Sequence, residues 1–462
     1  MKNEAKKICK AIAEAGGEAW YVGGYVRDKL LQEDQYLKID RSGVHFNDID
    51  LEVYGIDTDR LEQILSSAGI QIKKVGKFFP VWKSEHGVDI AFPRIEKGDG
   101  VHHNSNVEIV FDEKLDKKRA MARRDFTINT FMREGAGGGR LLYCKGALDD
   151  LRNGIIRHQN EKFAEDPLRV FRAARFAAQL DFTVARETIE LCQTIDTTQL
   201  SNERIAEETK KALMSNHPSK YFVALKEMHQ LSFWFTALYE CIGIEQPKKY
   251  HPEGDVFNHT MLALDYAARK GMPYNCRLAV LCHDLGKART KEVVDGQIKF
   301  KGHAEASAIA AEPLLKVLCV PTRDINNIIT AVRNHMKIYD LEKNRASQKS
   351  YNKLYDNCHS ALLIELTECD RNGKGLDEHL EKDPDFEWSR KALVVYHHKI
   401  CYGIWDKVSA TDLMLAGHKP SFAFKPALEL AHKMWLADVP HKIALPQVLA
   451  KLRKEEKTLD KA

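Results

Sequence analysis

Up to about residue 155, short runs with the apolar and polar alternation of β-strands are interspersed with helical patterns. The runs AWYVGG, IDLEVYG, IQIKKVG and VDIAF are rich in β-branched and aromatic residues, and LEQILSSAG has the periodicity of a helix. The run GAGGG, from Gly135 to Gly139, predicts a flexible hairpin-like turn. These patterns predict an α+β head.

From Glu165 onward, nearly every segment has the periodicity of a helix, which predicts an α-helical body. Turn-forming residues interrupt this pattern at Asn216-His217-Pro218, Gln246-Pro247, 270–273, Asp295-Gly296 and Asn372-Gly373. No stretch approaches the roughly 20 apolar residues of a membrane span, and the N-terminal MKNEAKKICKAIAEAGG reads as a charged amphipathic helix rather than a signal peptide. We therefore expect a cytoplasmic protein with no membrane partner.

The composition adds little to this picture. The 462 residues suffice for two or more domains, and the net charge of +4, from 70 basic and 66 acidic side chains, is too balanced to diagnose nucleic-acid binding. Local basic clusters at Lys117-Lys118-Arg119, at Lys248-Lys249 and from Lys451 to Lys461 read equally well as RNA contacts or as solvated helix faces. The ten cysteines lack metal-type spacing, which favours reduced thiols.

The segment YVGGYVRDKLL places Gly23 and Gly24 between a predicted strand and a predicted helix that carries Arg27. Glycines at such a turn let backbone N–H groups approach phosphate oxygens, the helix N-terminus favours anions, and Arg27 adds a charged fork. The segment therefore indicates a phosphate site, and a plain tight turn is the alternative.

Asp48 and Asp50 alternate on a predicted strand, so we expect both carboxylates on one face of it. Mg²⁺ prefers such hard oxygen ligands and commonly bridges them to substrate phosphates. The pair therefore predicts a Mg²⁺ site beside the glycine turn, with solvated edge carboxylates as the alternative. Asp89 follows another β-type run and is a candidate third ligand or general base.

The segment EDPLRVFRAARF predicts a helix with Asp166 at its cap and Pro167 in its first turn. Asp166, Arg169 and Arg172 recur every three residues and share one face, whereas Phe171 belongs to the apolar stripe. One interpretation is an ion pair between residues three apart on a solvated surface.

A second interpretation of this helix concerns base recognition. Cytosine and adenine both present an amino donor beside a ring-nitrogen acceptor, whereas uracil and guanine present a carbonyl beside an N–H. Asp166 could accept from the amine and Arg169 donate to the ring nitrogen, so the pair complements only the first two bases. The helix would then replace a nucleic-acid template.

The helical body carries a sparse series of metal-ligand residue types. His283 and Asp284 are adjacent within LCHDLGK. The order along the chain of His259, this pair, His303, His335 and Asp370 matches that of HD phosphohydrolases. Imidazole and carboxylate ligands suit Mg²⁺, Mn²⁺, Ni²⁺ or Zn²⁺ and can support phosphoester hydrolysis. The predicted ligands of this HD metal site are His259, His283, Asp284, His303, His335 and Asp370.

The order Gly-Gly-x-Val-Arg-Asp, Asp-x-Asp, KVGKFFPVW, ARRDFTINTF and EDPLRVFRAARFAAQLDF resembles the class II tRNA nucleotidyltransferase and bacterial poly(A) polymerase family. The ordered motifs span roughly residues 18 to 210, and weaker similarity continues through an HD domain to about residue 375. The resemblance implies a polymerase-β-like nucleotidyltransferase head, followed by an all-α body that contains an HD domain. It also implies catalytic metal ions on Asp48 and Asp50 and triphosphate contacts from Gly24 and Arg27.

The resemblance assigns further roles in nucleotide binding. It implies that Arg124 contacts the nucleotide, that Asp125 helps to hold the ribose, that the helix with Asp166 and Arg169 reads the base, and that Arg172 also touches the nucleotide. Asn129 belongs to the same motif as Arg124. The predicted nucleotide-binding residues are Gly23, Gly24, Arg27, Arg124, Asp125, Asn129, Asp166, Arg169 and Arg172.

The function that the resemblance implies is Mg²⁺-dependent addition of CCA, from CTP and ATP, to the 3′ end of tRNA. The HD domain implies an additional phosphatase or 2′,3′-cyclic phosphodiesterase activity with Ni²⁺, Mn²⁺ or Mg²⁺. We expect a head at 1–155, a helical neck at 156–245, an HD domain at 246–375 and a tRNA-contacting helical region at 376–462. The alternatives are a poly(A) polymerase, a CC-only or A-only enzyme, and an HD phosphohydrolase whose head merely binds nucleotide.

Overall fold

The computed structural model describes residues 1–33, 49–76, 80–97, 108–112, 115–374, 386–402 and 407–459, with the side chains of 94–97, 108–111 and 402 left out. Within these ranges, the chain forms two compact units, Met1–Thr236 and Ala237–Ala462. None of the described helices is long and apolar enough to cross a membrane.

The first unit is built on a seven-stranded sheet with the order β3-β4-β5-β2-β1-β8-β9. Only β2 and β5 pair in parallel, and all other neighbours in the sheet are antiparallel. The strands are β1 Glu18–Val22, β2 Ile49–Tyr54, β3 Ile72–Val75, β4 Val81–Ser84, β5 Val88–Ala91, β6 Arg94–Lys97, β7 Glu108–Phe111, β8 Met132–Glu134, β9 Leu141–Leu142, β10 Ile155–Ile156 and β11 Thr183–Val184.

The runs predicted as strands form β1, β2, β3 and β5, and GAGGG connects β8 to β9 in a hairpin. Strands β6 and β7 pair in antiparallel orientation with each other, apart from the seven-stranded sheet. Residues 98–107, between β6 and β7, lie outside the described part of the chain, as do residues 34–48.

Helices pack on the sheet and form most of the rest of the first unit. The N-terminal helix buries Ala5, Ile8, Cys9 and Ile12 against the sheet, as its amphipathic pattern predicts. The helices are α1 Lys2–Glu14, α2 Gly24–Glu33, α3 Thr58–Ser67, α4 Lys117–Ala122, α5 Ala147–Asn153, α6 Leu168–Leu180, α7 Arg186–Thr194, α8 Asn202–Leu213, α9 Ser219–Glu227 and α10 Leu231–Trp234, with 3₁₀ turns at Thr127–Asn129 and Glu161–Glu165.

Helix α6 is the central element of the helical part of this unit. Its apolar stripe is buried, and it packs against α8 and α9. The N-cap of α6 is Pro167 rather than the predicted Asp166, and the carboxylate of Asp166, one residue earlier, accepts the backbone N–H of Leu168 at 3.2 Å. Packing and this hydrogen bond together hold the first turn of α6 in a defined position.

The second unit is mostly helical. Helix α11, Thr236–Tyr239, begins at the last residue of the first unit. The other helices of the second unit are α12 Val256–Arg269, α13 Tyr274–Cys282, α14 Lys287–Thr290, α15 His303–Val317, α16 Thr322–Lys343, α17 Gln348–Tyr355, α18 Ser360–Asn372, α19 Glu387–Tyr402, α20 Ala410–Leu415, α21 Phe424–Leu436 and α22 His441–Leu459. The α+β class, with a sheet-containing head and a mostly helical body, is confirmed.

The break predicted at Asp295-Gly296 is the turn of a β-hairpin, β12 Glu292–Val294 and β13 Gln297–Lys299, rather than a boundary between helices. Asp295 and Gly296 both have positive φ, at 52° and 72°. Such angles suit a two-residue hairpin turn, and Asp-Gly is a preferred sequence for one.

Candidate nucleotide pocket and metal centre

A cavity of about 950 Å³ lies in the first unit beside the Gly23-Gly24 turn. It brings together the glycine turn, strand β2, the start of α6 and the C-terminal end of α8, which are far apart in the sequence. Asp50 and every residue predicted to bind nucleotide line it: Gly23, Gly24, Arg27, Arg124, Asp125, Asn129, Asp166, Arg169 and Arg172.

The turn from β1 into α2 requires glycine at its first position. Gly23 has φ of +61°, in the left-handed region that side chains disfavour, and a Cβ there would lie 3.5 Å from Nη1 of Arg124. The Gly23 carbonyl accepts the backbone N–H of Arg27 at 3.1 Å, so α2 begins at the cavity wall. The first N–H groups of the helix are therefore available to an anion there.

A chain of charged and amide groups crosses the floor of the cavity. The buried Arg27 guanidinium donates to Asp28 and to Oδ1 of Asn129, both at 2.7 Å. Asn129 donates to Asp125 at 2.9 Å, and the other oxygen of Asp125 pairs with Nη2 of Arg172 at 2.6 Å. The chain links the glycine turn to the face of α6.

Asp125 is the central member of this chain. Burial by itself raises the pKa of its carboxyl group, but the adjacent Arg172 guanidinium and the hydrogen bond from Asn129 outweigh burial and lower the pKa to about 2. The carboxylate is therefore ionised at neutral pH and holds Arg172 against the cavity wall.

The acidic residues predicted for the catalytic metal are placed differently from one another. Asp50 lies on β2 and lines the cavity, whereas Asp48 lies outside the described residues. Asp89 pairs in register with Asp50 across the parallel β2–β5 ladder, and its carboxylate bonds Nζ of Lys83 at 2.7 Å. Asp50 presents the hard oxygen donors that suit Mg²⁺, and the roles of Asp48 and Asp89 stay predictions.

Glu52, which contacts the cavity residue Arg124, was not predicted from the sequence. It is buried on β2, two residues after Asp50, and its carboxylate pairs with Nη2 of Arg124 at 2.7 Å and accepts from Tyr54 at 2.9 Å. Extending the period-two alternation of Asp48 and Asp50 by one step would have placed Glu52 on the same face.

At the start of α6, Asp166 and Arg169 do not form the ion pair that was considered as an alternative. Asp166 pairs with Nη2 of Arg204, on α8, at 3.0 Å. Arg169 donates instead to the backbone carbonyl of Lys162 at 2.8 Å and to that of Arg123 at 3.3 Å. Both side chains are held separately at the cavity wall, so a base could meet each of them.

In the second unit, the six residues predicted as HD metal ligands converge. Nε2 of His259 lies 3.2 Å from Nε2 of His283 and 3.0 Å from Oδ1 of Asp370. Nε2 of His303 lies 3.3 Å from Nε2 of His335. Helices α12, α15, α16 and α18, together with the residues that follow α13, supply them.

Asp284 joins the ligands into two groups, one with His259 and His283 and one with His303 and His335. Its Oδ2 lies 3.1 Å from Nε2 of His283, and its Oδ1 lies 3.6 Å from Nε2 of His303. A carboxylate in this position can serve both groups.

The hydrogen bonds of the histidines show that the site suits a cation. Nδ1 of His283 lies 2.7 Å from the Val280 carbonyl, and Nδ1 of His335 lies 2.6 Å from that of Val332. A carbonyl can only accept, so Nδ1 carries the proton and a neutral ring has a lone pair on Nε2. The lone pairs of the neutral rings converge with carboxylate oxygens, whose negative charge a divalent cation would neutralise.

The pKa values of the two rings reflect the field in the site. Burial lowers the pKa of His283, but Asp284 and Asp370 outweigh it and raise that pKa to about 10. Burial and the neighbouring His283 lower the pKa of His335 to about 4, so this ring stays neutral. The negative field that attracts a proton to His283 would equally attract a metal ion.

Two further residues at this centre were not singled out from the sequence. The buried Lys287, in the LCHDLGK segment, places Nζ 2.7 Å from Oδ2 of Asp284 and 2.7 Å from Oε1 of Gln246. Glu253 bonds Nδ1 of His259 at 2.7 Å. Its position before α12, in the segment HPEGDVFNH, gave no periodic signal.

Three family models match the chain. They are the "Poly A polymerase head domain" over residues 19–157, the "Probable RNA and SrmB- binding site of polymerase A" over 181–240 and the "HD domain" over 256–371. With the fold, these matches define a nucleotidyltransferase with a head of the poly(A) polymerase type that also carries an HD domain.

The similarity to known proteins extends over most of the chain. A protein of Chromobacterium violaceum named "Multifunctional CCA protein" is 35% identical over 70% of this chain and 75% of its own length. One of the same name from Acinetobacter baumannii is 31% identical over 82% of this chain and 89% of its own length. The chain belongs to the family of multifunctional CCA proteins, and the resemblance inferred from the motifs is confirmed.

Solved structures support the fold. The CCA-adding enzyme of Bacillus stearothermophilus, in complex with CTP, superposes with a TM-score of 0.66 over 99% of this chain and 98% of its own, at 18% identity. That of Thermotoga maritima, complexed with tRNA, has a TM-score of 0.56 at 18% identity, over 97% and 95% of the two chains.

Proposed function

We propose that this protein adds CCA to the 3′ end of tRNA, using CTP and ATP without a nucleic-acid template. The names of its relatives support this activity. The observation that carries the proposal is that Asp166 and Arg169, which complement cytosine and adenine, line the same cavity as the glycine turn and Asp50. Base recognition and phosphate chemistry would therefore take place in one pocket.

In this proposal, the carboxylate of Asp166 accepts from the exocyclic amine of the incoming base and Arg169 donates to the ring nitrogen. The N–H groups at the start of α2 and the guanidinium of Arg27 bind the triphosphate, and Arg172 and Asp125 hold the nucleotide beside α6. Mg²⁺ held by Asp50, with the predicted Asp48 and Asp89, would neutralise charge on the triphosphate and favour deprotonation of the attacking 3′-hydroxyl.

A second activity, hydrolysis of phosphoesters such as 2′,3′-cyclic phosphates, is proposed for the HD centre. Its support is the pair of ligand groups that share Asp284. We propose Ni²⁺, Mn²⁺ or Mg²⁺ as the metal. The corresponding domain boundaries are a head at 1–155, a neck at 156–245, the HD domain at 246–375 and a tRNA-contacting region at 376–462.

The test is incorporation of radiolabelled CTP and ATP into tRNA that lacks CCA. The wild-type protein should add two C residues and one A, and Asp50→Ala should abolish both additions while tRNA binding persists, because every step needs the same charge neutralisation. Asp59→Ala, which removes an exposed carboxylate in the first turn of α3, is the matched control and should retain activity.

The products distinguish the alternatives. Addition of C alone or A alone would replace the proposal with a partial activity, and A addition to RNA that is not tRNA would indicate a poly(A) polymerase. Loss of only one addition in Asp50→Ala would contradict a single shared site.

A further inference from the structure

The four histidines of the HD centre are oriented through their Nδ1 atoms. Three of them contact the backbone carbonyl of the residue three positions earlier, at 2.7 Å in His283, 2.9 Å in His303 and 2.6 Å in His335. His259 is different, because its Nδ1 lies 2.7 Å from a carboxylate oxygen, Oε1 of Glu253.

The position of His259 in its helix explains this difference. It lies in the first turn of α12, where the carbonyl three positions earlier, that of Val256, accepts the hydroxyl of Thr260 at 2.9 Å. The loop before the helix supplies an acceptor in its place. The side chain of Glu253 is only 2% exposed, so this contact lies within the protein.

A second ring holds the same carboxylate. Nδ1 of His251 lies 2.9 Å from Oε1 of Glu253, and the His251 ring packs edge-on against that of His259, with centroids 5.0 Å apart. The carboxylate is thus held between the loop and the helix, and its position is defined by the fold.

We propose that Glu253 is a positioning residue of the HD metal centre, which fixes the tautomer of His259 and strengthens Nε2 of that ring as a metal ligand. A carboxylate that accepts from Nδ1–H keeps the proton off Nε2 and increases the electron density of the ring more than a neutral carbonyl does. Nε2 then faces His283 and Asp370, at 3.2 and 3.0 Å. This inference rests on the proposed metal-binding function of the HD centre.

The alternative role for Glu253 is to anchor the loop before α12 without influence on the metal. Two variants separate these roles. Glu253→Gln can still accept from Nδ1 through its amide oxygen but lacks the charge, whereas Glu253→Ala lacks both the acceptor and the charge.

The experiment measures Mn²⁺ and Ni²⁺ binding to the full, metal-depleted chain by calorimetry. Loss of the outer partner of a ligating histidine weakens metal binding about 10- to 100-fold in general, so we expect a loss in this range for Glu253→Ala and a smaller loss for Glu253→Gln. Selective ¹⁵N labelling of histidine would show whether Nδ1 of His259 is the protonated nitrogen in wild type and whether Glu253→Ala changes it.

The control is Glu240→Gln, because Glu240 is a carboxylate of the same unit that pairs with Arg289 at 3.1 Å and is 37% exposed. It should bind metal as wild type does. If wild type binds neither ion, the proposed function of the HD centre fails. If wild type binds metal and both Glu253 variants bind it as tightly as wild type, the positioning role is wrong. If Glu253→Ala does not fold, wild-type metal affinity in Glu253→Gln overturns the proposal.

Discussion

Side chains in the nucleotide cavity are held by hydrogen bonds to one another, and two of these bonds join residues far apart in the sequence, Arg27 with Asn129 and Arg172 with Asp125. Asp125 uses one oxygen for Asn129 and the other for Arg172, and Arg27 is divided between Asp28 and Asn129. Such mutual bonding restricts the rotamers of each group before a substrate arrives, which lowers the entropy lost on binding.

Substitution of Asp166 and Arg169 tests whether these two side chains read the base. Asp166→Ala and Arg169→Ala should each lose selectivity for C and A over U and G and much of the rate, because each lost charged hydrogen bond contributes about 1.5–3 kcal/mol, or about ten- to more than a hundredfold. The double variant should be little worse than either single one, since both contact one base. Steady-state incorporation of all four nucleotides measures this.

Glu165→Ala is the control for the base reader, because it removes the neighbouring carboxylate, which is not among the residues that line the cavity. Unchanged preference for C and A in Asp166→Ala would mean that the base is read elsewhere.

The second prediction concerns Asp125. The pKa of about 2, against an ordinary 3.8, corresponds to about 2 kcal/mol of stability. Because the pKa is lowered in the folded state, this contribution is present above pH 3.8 and is lost as the pH falls towards 2. Asp125→Asn should therefore lower the free energy of unfolding at pH 7, and its difference from wild type should narrow below about pH 4.

Denaturant-dependent hydrogen exchange of α6 amides at several pH values would measure the effect of Asp125→Asn. Asp149→Asn, a change at an exposed position of the same unit, should have little effect. A difference between Asp125→Asn and wild type that persists unchanged down to pH 2 would contradict the assignment.

Among the elements, α6 combines a structural and a functional face. Phe171 and the alanines of its stripe are buried, while Arg169 and Arg172 line the cavity. Arg204 of α8 holds the start of the helix through its ion pair with Asp166. The position of the base-reading face therefore depends on how α8 packs against α6.

Arg204→Ala tests this dependence. The pair with Asp166 is partly exposed, at 45% and 26% of the two side chains, so its loss should destabilise the protein by only about 0–1 kcal/mol. We expect the specificity constants for CTP and ATP to fall about fivefold, corresponding to about 1 kcal/mol, because Asp166 gains rotational freedom.

Arg186→Ala is the matched control for Arg204→Ala, since Arg186 pairs with Glu190 on the surface of α7 and is 91% exposed. Equal kinetics for Arg204→Ala, Arg186→Ala and wild type would show that Arg204 does not position Asp166.

For the whole molecule, the two sites lie in different compact units. The nucleotide cavity is lined by residues of Met1–Thr236, and the HD ligands all belong to Ala237–Ala462. Their ligand chemistry also differs, with carboxylate oxygens in the first and mainly imidazole nitrogens in the second. Each site can therefore be removed without touching the residues of the other.

The double variant His283→Ala/Asp284→Ala should lose metal-dependent hydrolysis of 2′,3′-cyclic phosphates, because both ligand groups share Asp284. Addition of C and A to tRNA should persist at close to the wild-type rate. Parallel assays of hydrolysis and incorporation on one preparation measure both effects. Full hydrolysis in the double variant would leave the HD residues with a structural role only.

The sequence by itself determined the class of the fold and the predicted strands, because local periodicity and turn residues act over a few positions. It also identified Gly23, Asp50, Asp166 and Arg169 as candidates from motifs whose chemistry is readable locally, and the HD ligands from an order of His and Asp residues that resembles HD phosphohydrolases. Side-chain identity was sufficient for these inferences.

The tertiary structure decided which partner each candidate has. Glu52 on β2 holds Arg124, 72 residues later in the chain, and Arg172 on α6 holds Asp125, 47 residues earlier. The sequence offers several arginines and carboxylates for every such role. Long-range pairing depends on how helices and strands pack, and local patterns carry no information about the distance between two side chains that packing brings together.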